Sequence, residues 1–370
     1  MKEKVEIRNN DDWECLLSFL PSGWEQMAYT SGAAIRLRGF SNAANLLRTL
    51  LIHFFEGCSL RQTVVHAKQL GIADISDVAL LKRLNVSGEW FRQMSQQLIK
   101  NIIPSQNVIP QLKDYEIELV DATCICKPGS VGTDWRVHYG IELPTLHCKT
   151  IHVTDKHVGE TFKHFDVTPN KLFIGDRGYS NQPGIAYVVN KSGNVLVRMN
   201  SANLPLKTEK NRDFMLLNNL KKLSINKIGE WNVHFVYNDI FVKGRVCAIK
   251  KSRVAAEKAK EKIIREAKKK QKVPKPETLE AAEYIFVFTT LPNSIISAKD
   301  VLEIYRGRWQ IELSFKRLKS LLELGSLPKK DPPGAKSWIY GKLFCAILIE
   351  TLITDAECFS PWGYNIESGV

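Results

Sequence analysis

The stretch SAKDVLEIYRGRWQIELSFKRLKSLLELG, residues 297–325, decides how the rest of the chain is read. It reads as one long helix. Ser297 with Asp300 three residues on fits a capping box, and Gly325 followed by Pro328 supplies a stop. At about 100° per residue, with Tyr305 at zero, Arg308 falls at about 300°, Glu312 at about 340° and Lys319 at about 320°, so the four share one stripe. Ile304, Ile311, Phe315, Leu318 and Leu322 fall at about 220° to 280°, immediately beside it. One flank packs, and the next presents a carboxylate beside an arginine, a lysine and a phenol, a set suited to a metal ion and a phosphate backbone. An ordinary solvated helix face carries such charges too, with i,i+4 pairs like Arg308 and Glu312 worth only about a few tenths of a kcal/mol. The stripe alone does not separate the two readings.

Upstream of the helix lies a strand, YIFVFTT from Tyr284, and before it a concentrated charge run. Residues 243–275 hold fourteen Lys and Arg against three Glu, a net of 14 − 3 = +11, most of the chain's +13. Its helical part, residues 254–272, has few large apolar side chains, so it is either a solvated arm or a surface that tracks phosphates. The section from 195 to about 250 is β-rich (NVLVRMN, EWNVHFVY, FVKGRVCAI). Earlier still, YEIELVD, WRVHYGIEL, CKTIHVTD and KLFIGDRGY read as strands, with a short helix near Glu160 to His164 and another over residues 185–190. Two of these strands end in acids, Asp121 and Asp176, and active residues of open sheets collect just past strand ends.

Residues 1–105 read as wholly helical, with Leu46, Leu47, Leu50, Leu51, Phe54 and Phe55 at helical spacing. Ser59 with Gln62 makes a capping box, the helix LRQTVVHAKQL ends at Gly71, and Ser76 caps DVALLKRL. This is the outline of a helix-turn-helix with Lys82 and Arg83 on its second element, and equally that of a plain helical hairpin.

With 370 residues the chain suits two or three domains, and 44% hydrophobic with 25% charged residues is a folded composition. A net charge of +13 points to a polyanionic partner, nucleic acid before membrane. The eight cysteines contain no CxxC pair, which fits reduced thiols in a cytoplasm. The N-terminus lacks a signal-peptide layout, and the most apolar run, residues 343–349, is too short to span a bilayer, so no membrane role is expected. Five of the eight histidines lie between His138 and His164 near Cys148, at spacings that match no standard zinc pattern.

Asp121, Asp176 and Glu312 would repel one another strongly if brought together, so a cluster of them requires cations. Hard oxygen ligands favour Mg²⁺ or Mn²⁺, and a pair of such ions is suited to phosphoryl transfer on nucleic acid. Glu323 falls at about 0° on the same stripe and competes with Glu312. Glu312 is preferred because Arg308 and Lys319 stand on either side. Trp231, Tyr284 and Trp309 are candidates either for stacking on a base or for packing.

VDAT around Asp121, GDRGY around Asp176, and Tyr305, Arg308, Glu312 and Lys319 in the pattern Y-x2-R-x3-E-x6-K resemble the bacterial insertion-sequence transposases of the IS-four group, a branch of the DDE transposases. The similarity of layout covers roughly residues 40–350. It implies an α/β fold with a ribonuclease-H-like core, interrupted by a mainly β insertion domain and preceded by a helical DNA-binding domain. The corresponding spans are 1–105 for the helical domain, 106–194 for the first part of the core, 195–290 for the insertion with its basic arm, and 291–370 for the rest. The resemblance assigns metal ligation and catalysis to Asp121, Asp176 and Glu312, with two Mg²⁺ ions for which Mn²⁺ substitutes. It assigns contact with transposon-end DNA to Tyr305, Arg308 and Lys319. It further implies cut-and-paste transposition on double-stranded DNA, a homodimer in the synaptic complex, and a cytoplasmic, nucleoid-associated bacterial protein. One departure is that the chain stops soon after residues 360–363 (SPWG), where longer relatives are expected. That leaves a truncated, end-binding inhibitor as the alternative, and a structure-specific nuclease of the same fold as a third reading.

Overall fold

The computed structural model describes residues 13–101, 109–130, 132–143, 145–200, 202–225, 227–325, 327–328 and 331–358. Residues 360–363 therefore lie outside the described residues. The N-terminal part is helical: α1 (Trp24–Thr30), α2 (Ala43–Phe55), α3 (Leu60–Gln69), α4 (Asp77–Val86) and α5 (Gly88–Asn101). The local signals act as read. Ser59 and Gln62 form the reciprocal capping box of α3, Gly71 turns the chain at φ 66°, and the Ser76 side chain caps α4. Leu46, Leu47, Leu50, Leu51 and Phe54 are buried, whereas Phe55 at the last position of α2 is 43% exposed.

The strands β1 (Glu116–Ile125), β2 (Trp135–Leu143), β3 (Cys148–Asp155), β4 (Lys171–Gly175) and β5 (Asn194–Arg198) carry the site, with α6 (Gln182–Asn190) between the last two. The first three pair antiparallel, while β4 runs parallel to β1 and β5 parallel to β4. An order of β3-β2-β1-β4-β5 with these directions is the ribonuclease-H-like arrangement that the resemblance implied. Beyond β5 come β6 (Lys207–Thr208), α7 (Leu216–Leu220), β7 (Ile228–Tyr237), β8 (Ile240–Lys250), α8 (Arg253–Lys269), α9 (Pro276–Ala281) and β9 (Tyr284–Thr289). β9 pairs antiparallel with both β5 and β8, so the β-rich section continues the same sheet to nine strands. The sheet is packed on both faces. Leu119, Ile174 and Leu196 join the core made with the helices of the two chain ends, and Val120, Phe173 and Val195 join the core under α6.

The stretch 297–325 is not one helix. It divides into α10 (Ala298–Arg306) and α11 (Trp309–Leu321), because the Gly307 and Arg308 N–H groups bond three residues back, to Ile304 and Tyr305, at 3.0 and 3.1 Å. This 3₁₀ tightening at a glycine interrupts the α-helix while both residues keep right-handed backbone angles. The stop also comes early: Glu323 takes φ 53° and the Leu324 N–H returns to the Leu318 carbonyl, so the helix ends before Gly325.

The last helix, α12 (Pro332–Cys358), is long and apolar enough to cross a bilayer by length and composition, yet most of it is buried in the fold. It packs on α5, α4 and α2, and its Lys342 ammonium donates to the Phe54 carbonyl that ends α2. Gly341 is required there, since a Cβ would lie 2.2 Å from the Phe54 ring. Gly341→Ala gains about 1 kcal/mol of helix propensity but overpacks the contact by up to about 3 kcal/mol. The expected result is a net loss of about 1 to 2 kcal/mol in urea unfolding. An unchanged midpoint would mean that the Phe54 ring is free to move.

Candidate active site

Asp121 is not at a strand end, because β1 continues to Ile125 in its hairpin with β2. It lies instead just past the end of the parallel ladder, whose last β1–β4 pair is Leu119 with Ile174. Asp121 and Asp176 are each two residues beyond that pair, so the period of two brings both to the same face on neighbouring strands. The Ala122 N–H donates to Asp121 at 2.8 Å and the Gly178 N–H to Asp176 at 2.7 Å. Burial, with repulsion from Asp176 and Glu160, pushes the Asp121 carboxyl up to about 7 against the Ala122 N–H and Arg308.

The third acid arrives through Arg308. Its guanidinium lies 3.5 Å from Asp121 and is also ion-paired with Glu312 in the first turn of α11. One cation thus bridges two of the predicted acids, with Asp176 beside the first. Tyr305 is buried on α10 next to this group, where burial raises its phenol above the usual range. Lys319 stands apart, exposed two turns further along α11 at about 10 Å. Glu323 does not reach the site. Past the end of α11, its carboxylate lies 3.7 Å from where a Gly57 Cβ would be, among the N-terminal helices.

Glu160 is the acid that the sequence reading passed over. It sits in the loop before the 3₁₀ turn Phe162–His164 and faces Asp176, with burial and then Asp176 raising its carboxyl. A Cβ on Gly178 would lie 1.8 Å from the Glu160 carboxylate and 3.1 Å from that of Asp176, so only glycine leaves room for the two acids. No strand end or helical period marks Glu160. The signal was Gly178 itself, inside GDRGY.

The crowding makes a thermodynamic prediction. The folded-state pKa of Asp121, about 7, lies above the ordinary 3.8. In metal-free protein its contribution to stability is therefore present below about pH 4 and lost as pH rises through about 7. Asp121→Asn is expected to stabilise the chelated protein at pH 8 by on the order of 2 kcal/mol and to leave pH 4 stability unchanged, as read by urea unfolding. Equal effects at both pH values would show that charge is not the cause.

Residues 137–349 match the family described as "Transposase DDE domain", more than half of the 370 residues. That span holds Asp176 and Glu312 and begins after Asp121. The chain belongs to the DDE transposase family. It is 33% identical over 361 residues to proteins named as InsL transposases of the insertion sequence elements IS186A and IS186B of Escherichia coli K12, covering 95% of this chain and 97% of each relative. It is likewise 33% identical over 362 residues to the transposase for insertion sequence element IS421 of Escherichia coli, with the same coverage.

In this transposase a cleft of about 1000 Å³ opens beside the acids, between α10, the start of α8 and the edge of β8 and β9. Arg198, Lys250, Lys251, Lys299, Arg306 and Arg308 line it, and Trp309, half exposed, stands in its wall. Burial, and then Arg198 and Arg177, push Lys251 down to about 8. Not all of the charge run faces outward. Arg245 is 2% exposed and Lys260 pairs with Glu283 at 2.8 Å. Tyr284 is buried with Lys250 over its ring, and Trp231 packs against Phe214 away from the acids. His138, His152 and His164 gather with ring centroids 4.2 to 6.2 Å apart, and burial pushes His138 down to about 3. Cys148 is buried apart from them, its thiol directed to the Thr150 carbonyl.

Proposed function

We propose that Asp121, Asp176 and Glu312 hold the divalent ions of a transposase that cuts and joins DNA at the ends of an insertion sequence. The observation that carries this reading is the parallel register that sets Asp121 beside Asp176, with Arg308 tying Asp121 to Glu312. The donor set is all carboxylate oxygen, which suits two Mg²⁺ ions, with Mn²⁺ as a substitute, over softer metals. When bound, such ions supply Lewis acidity toward the phosphate and lower the pKa of water. The chain's own residues do the rest. Arg308 neutralises the acids and, once cations take that role, turns its fork to a phosphate. Tyr305 and Lys319 hold the backbone of the transposon end on either side of it. With the ions held by the three acids, water would break the P–O3′ bond at the transposon end to leave a 3′-hydroxyl and a 5′-phosphate, and that hydroxyl would then attack a target phosphodiester, displacing its 3′-oxygen.

The basic cleft and the exposed face of α8 support a duplex running along the cleft, with Lys82 and Arg83 on α4 offering a second contact. Residues 1–105 are the DNA-binding helices in this reading, and 195–290 the insertion in the core. Holding two transposon ends requires a homodimer, and the substrate places the protein in the bacterial cytoplasm at the nucleoid. The competing reading is an end-binding inhibitor, which would hold the same transposon ends without cutting them. Incubation with the terminal inverted repeats of its own element and Mg²⁺ tests the proposal. Nicked and joined products that Asp121→Ala abolishes are expected. Binding without nicking, unchanged by that substitution, would sink it in favour of the inhibitor, and cutting without joining would favour a nuclease.

A further inference from the structure

The loop between α2 and α3 gathers three ligand types that the proposed catalytic site does not use. Glu56 ends α2, Cys58 follows after one glycine, and His66 lies in the last turn of α3. Their ligand atoms all lie within 4.8 Å of one another. The Cys58 Sγ is 3.5 Å and the His66 Nδ1 3.1 Å from the same oxygen, Glu56 Oε2. In a tetrahedral zinc site, bonds of about 2.3 Å to sulfur and about 2.0 Å to nitrogen and oxygen give edges of about 3.5 Å for S···O and about 3.3 Å for N···O. The two spacings match those edges closely, and the third edge, from the Cys58 sulfur to the His66 ring nitrogen, lies within 4.8 Å, so only that edge has to close around an ion.

The loop is also held in place. His53 Nδ1–H donates to the Cys58 carbonyl at 2.7 Å, the Ser59–Gln62 box fixes the next turn, and Lys342 from α12 binds the Phe54 carbonyl. A second carboxylate, Glu323, stands against Gly57. We propose that Glu56, Cys58 and His66 form a zinc site that clips the end of α2 to α3, the first helix of the helix-turn-helix outline. A thiolate and an imidazole select zinc over the hard ions that suit an all-carboxylate site, so the two metal requirements are separable.

Full-length protein stripped with chelator and titrated with Co²⁺ reads this directly. One equivalent is expected to give a sulfur-to-cobalt charge-transfer band with the intense visible bands of tetrahedral cobalt, and Zn²⁺ is expected to displace both. Cys58→Ser should abolish the charge-transfer band, and His66→Ala should weaken Co²⁺ binding by at least about tenfold, the loss that even outer partners of a metal site cause. Cys124→Ser/Cys126→Ser, which removes two other exposed thiols, should leave the band intact. No band in the wild type, or a band that survives Cys58→Ser, overturns the proposal. Should Cys58→Ser fold poorly, zinc raising the melting temperature of the wild type but not of His66→Ala decides the matter.

Discussion

Glu312→Gln is expected to lower Mn²⁺-dependent cleavage of transposon-end DNA on the order of a thousandfold, the loss that follows from several kcal/mol of transition-state charge stabilisation. The amide keeps the size of the side chain, and a group 58% exposed contributes little to folding, so the protein should remain folded. Glu323→Gln should leave the rate within about twofold, since substitutions at exposed positions away from a site usually change little. On a continuous helix the two acids share a stripe, and periodicity does not choose between them. The structure separates them by the left-handed Glu323, which ends α11 and turns its carboxylate toward Gly57. Single-turnover cleavage with Mn²⁺ measures both. The reverse ranking would move the third ligand to Glu323 and require α11 to dock differently.

The residues that the sequence exposed well are those governed by short-range rules. Ser59, Gln62, Gly71 and Ser76 set helix ends through bonds within four residues, and the strands beside Asp121 and Asp176 show themselves by alternation in YEIELVD and by a short apolar run in KLFIG. The order Tyr305, Arg308, Glu312, Lys319 survives a break because the Arg308–Glu312 pair is itself local. What stayed hidden depends on distant partners. Glu160 acquires meaning only through Gly178, and Glu323 only through Gly57. The break at Gly307 is made by two i→i−3 bonds, which no helical wheel contains. Phe55 stands at the helical spacing read for it and is nevertheless 43% exposed, since spacing alone does not say what covers the last residue of a helix.

Arg245 separates charge as composition from charge as contact. It belongs to the run of residues 243–275 that holds most of the chain's net positive charge, yet it is 2% exposed. Its guanidinium donates to the Leu291 carbonyl at 2.7 Å, the Ile296 carbonyl at 2.5 Å and the Glu230 carboxylate at 2.7 Å. Those two carbonyls belong to the segment that leads from β9 into the Ser297 cap of α10. Arg245 therefore fixes the helix that carries Tyr305. Arg245→Met leaves two carbonyls and a largely buried carboxylate without this donor, and breaking a buried pair by removing one partner costs about 3 to 5 kcal/mol. The expected result is a loss of about 4 kcal/mol in urea unfolding, with cleavage reduced even where the variant stays folded. Arg245→Lys should recover only part of it, since a point charge does not span three acceptors in a plane. A phosphate contact would behave in the opposite way: stability would hold, and the dependence of DNA affinity on salt would lose about one unit of slope. Measuring both quantities on one variant decides the role, and an unchanged unfolding midpoint with a shallower salt slope would return Arg245 to the DNA-binding surface.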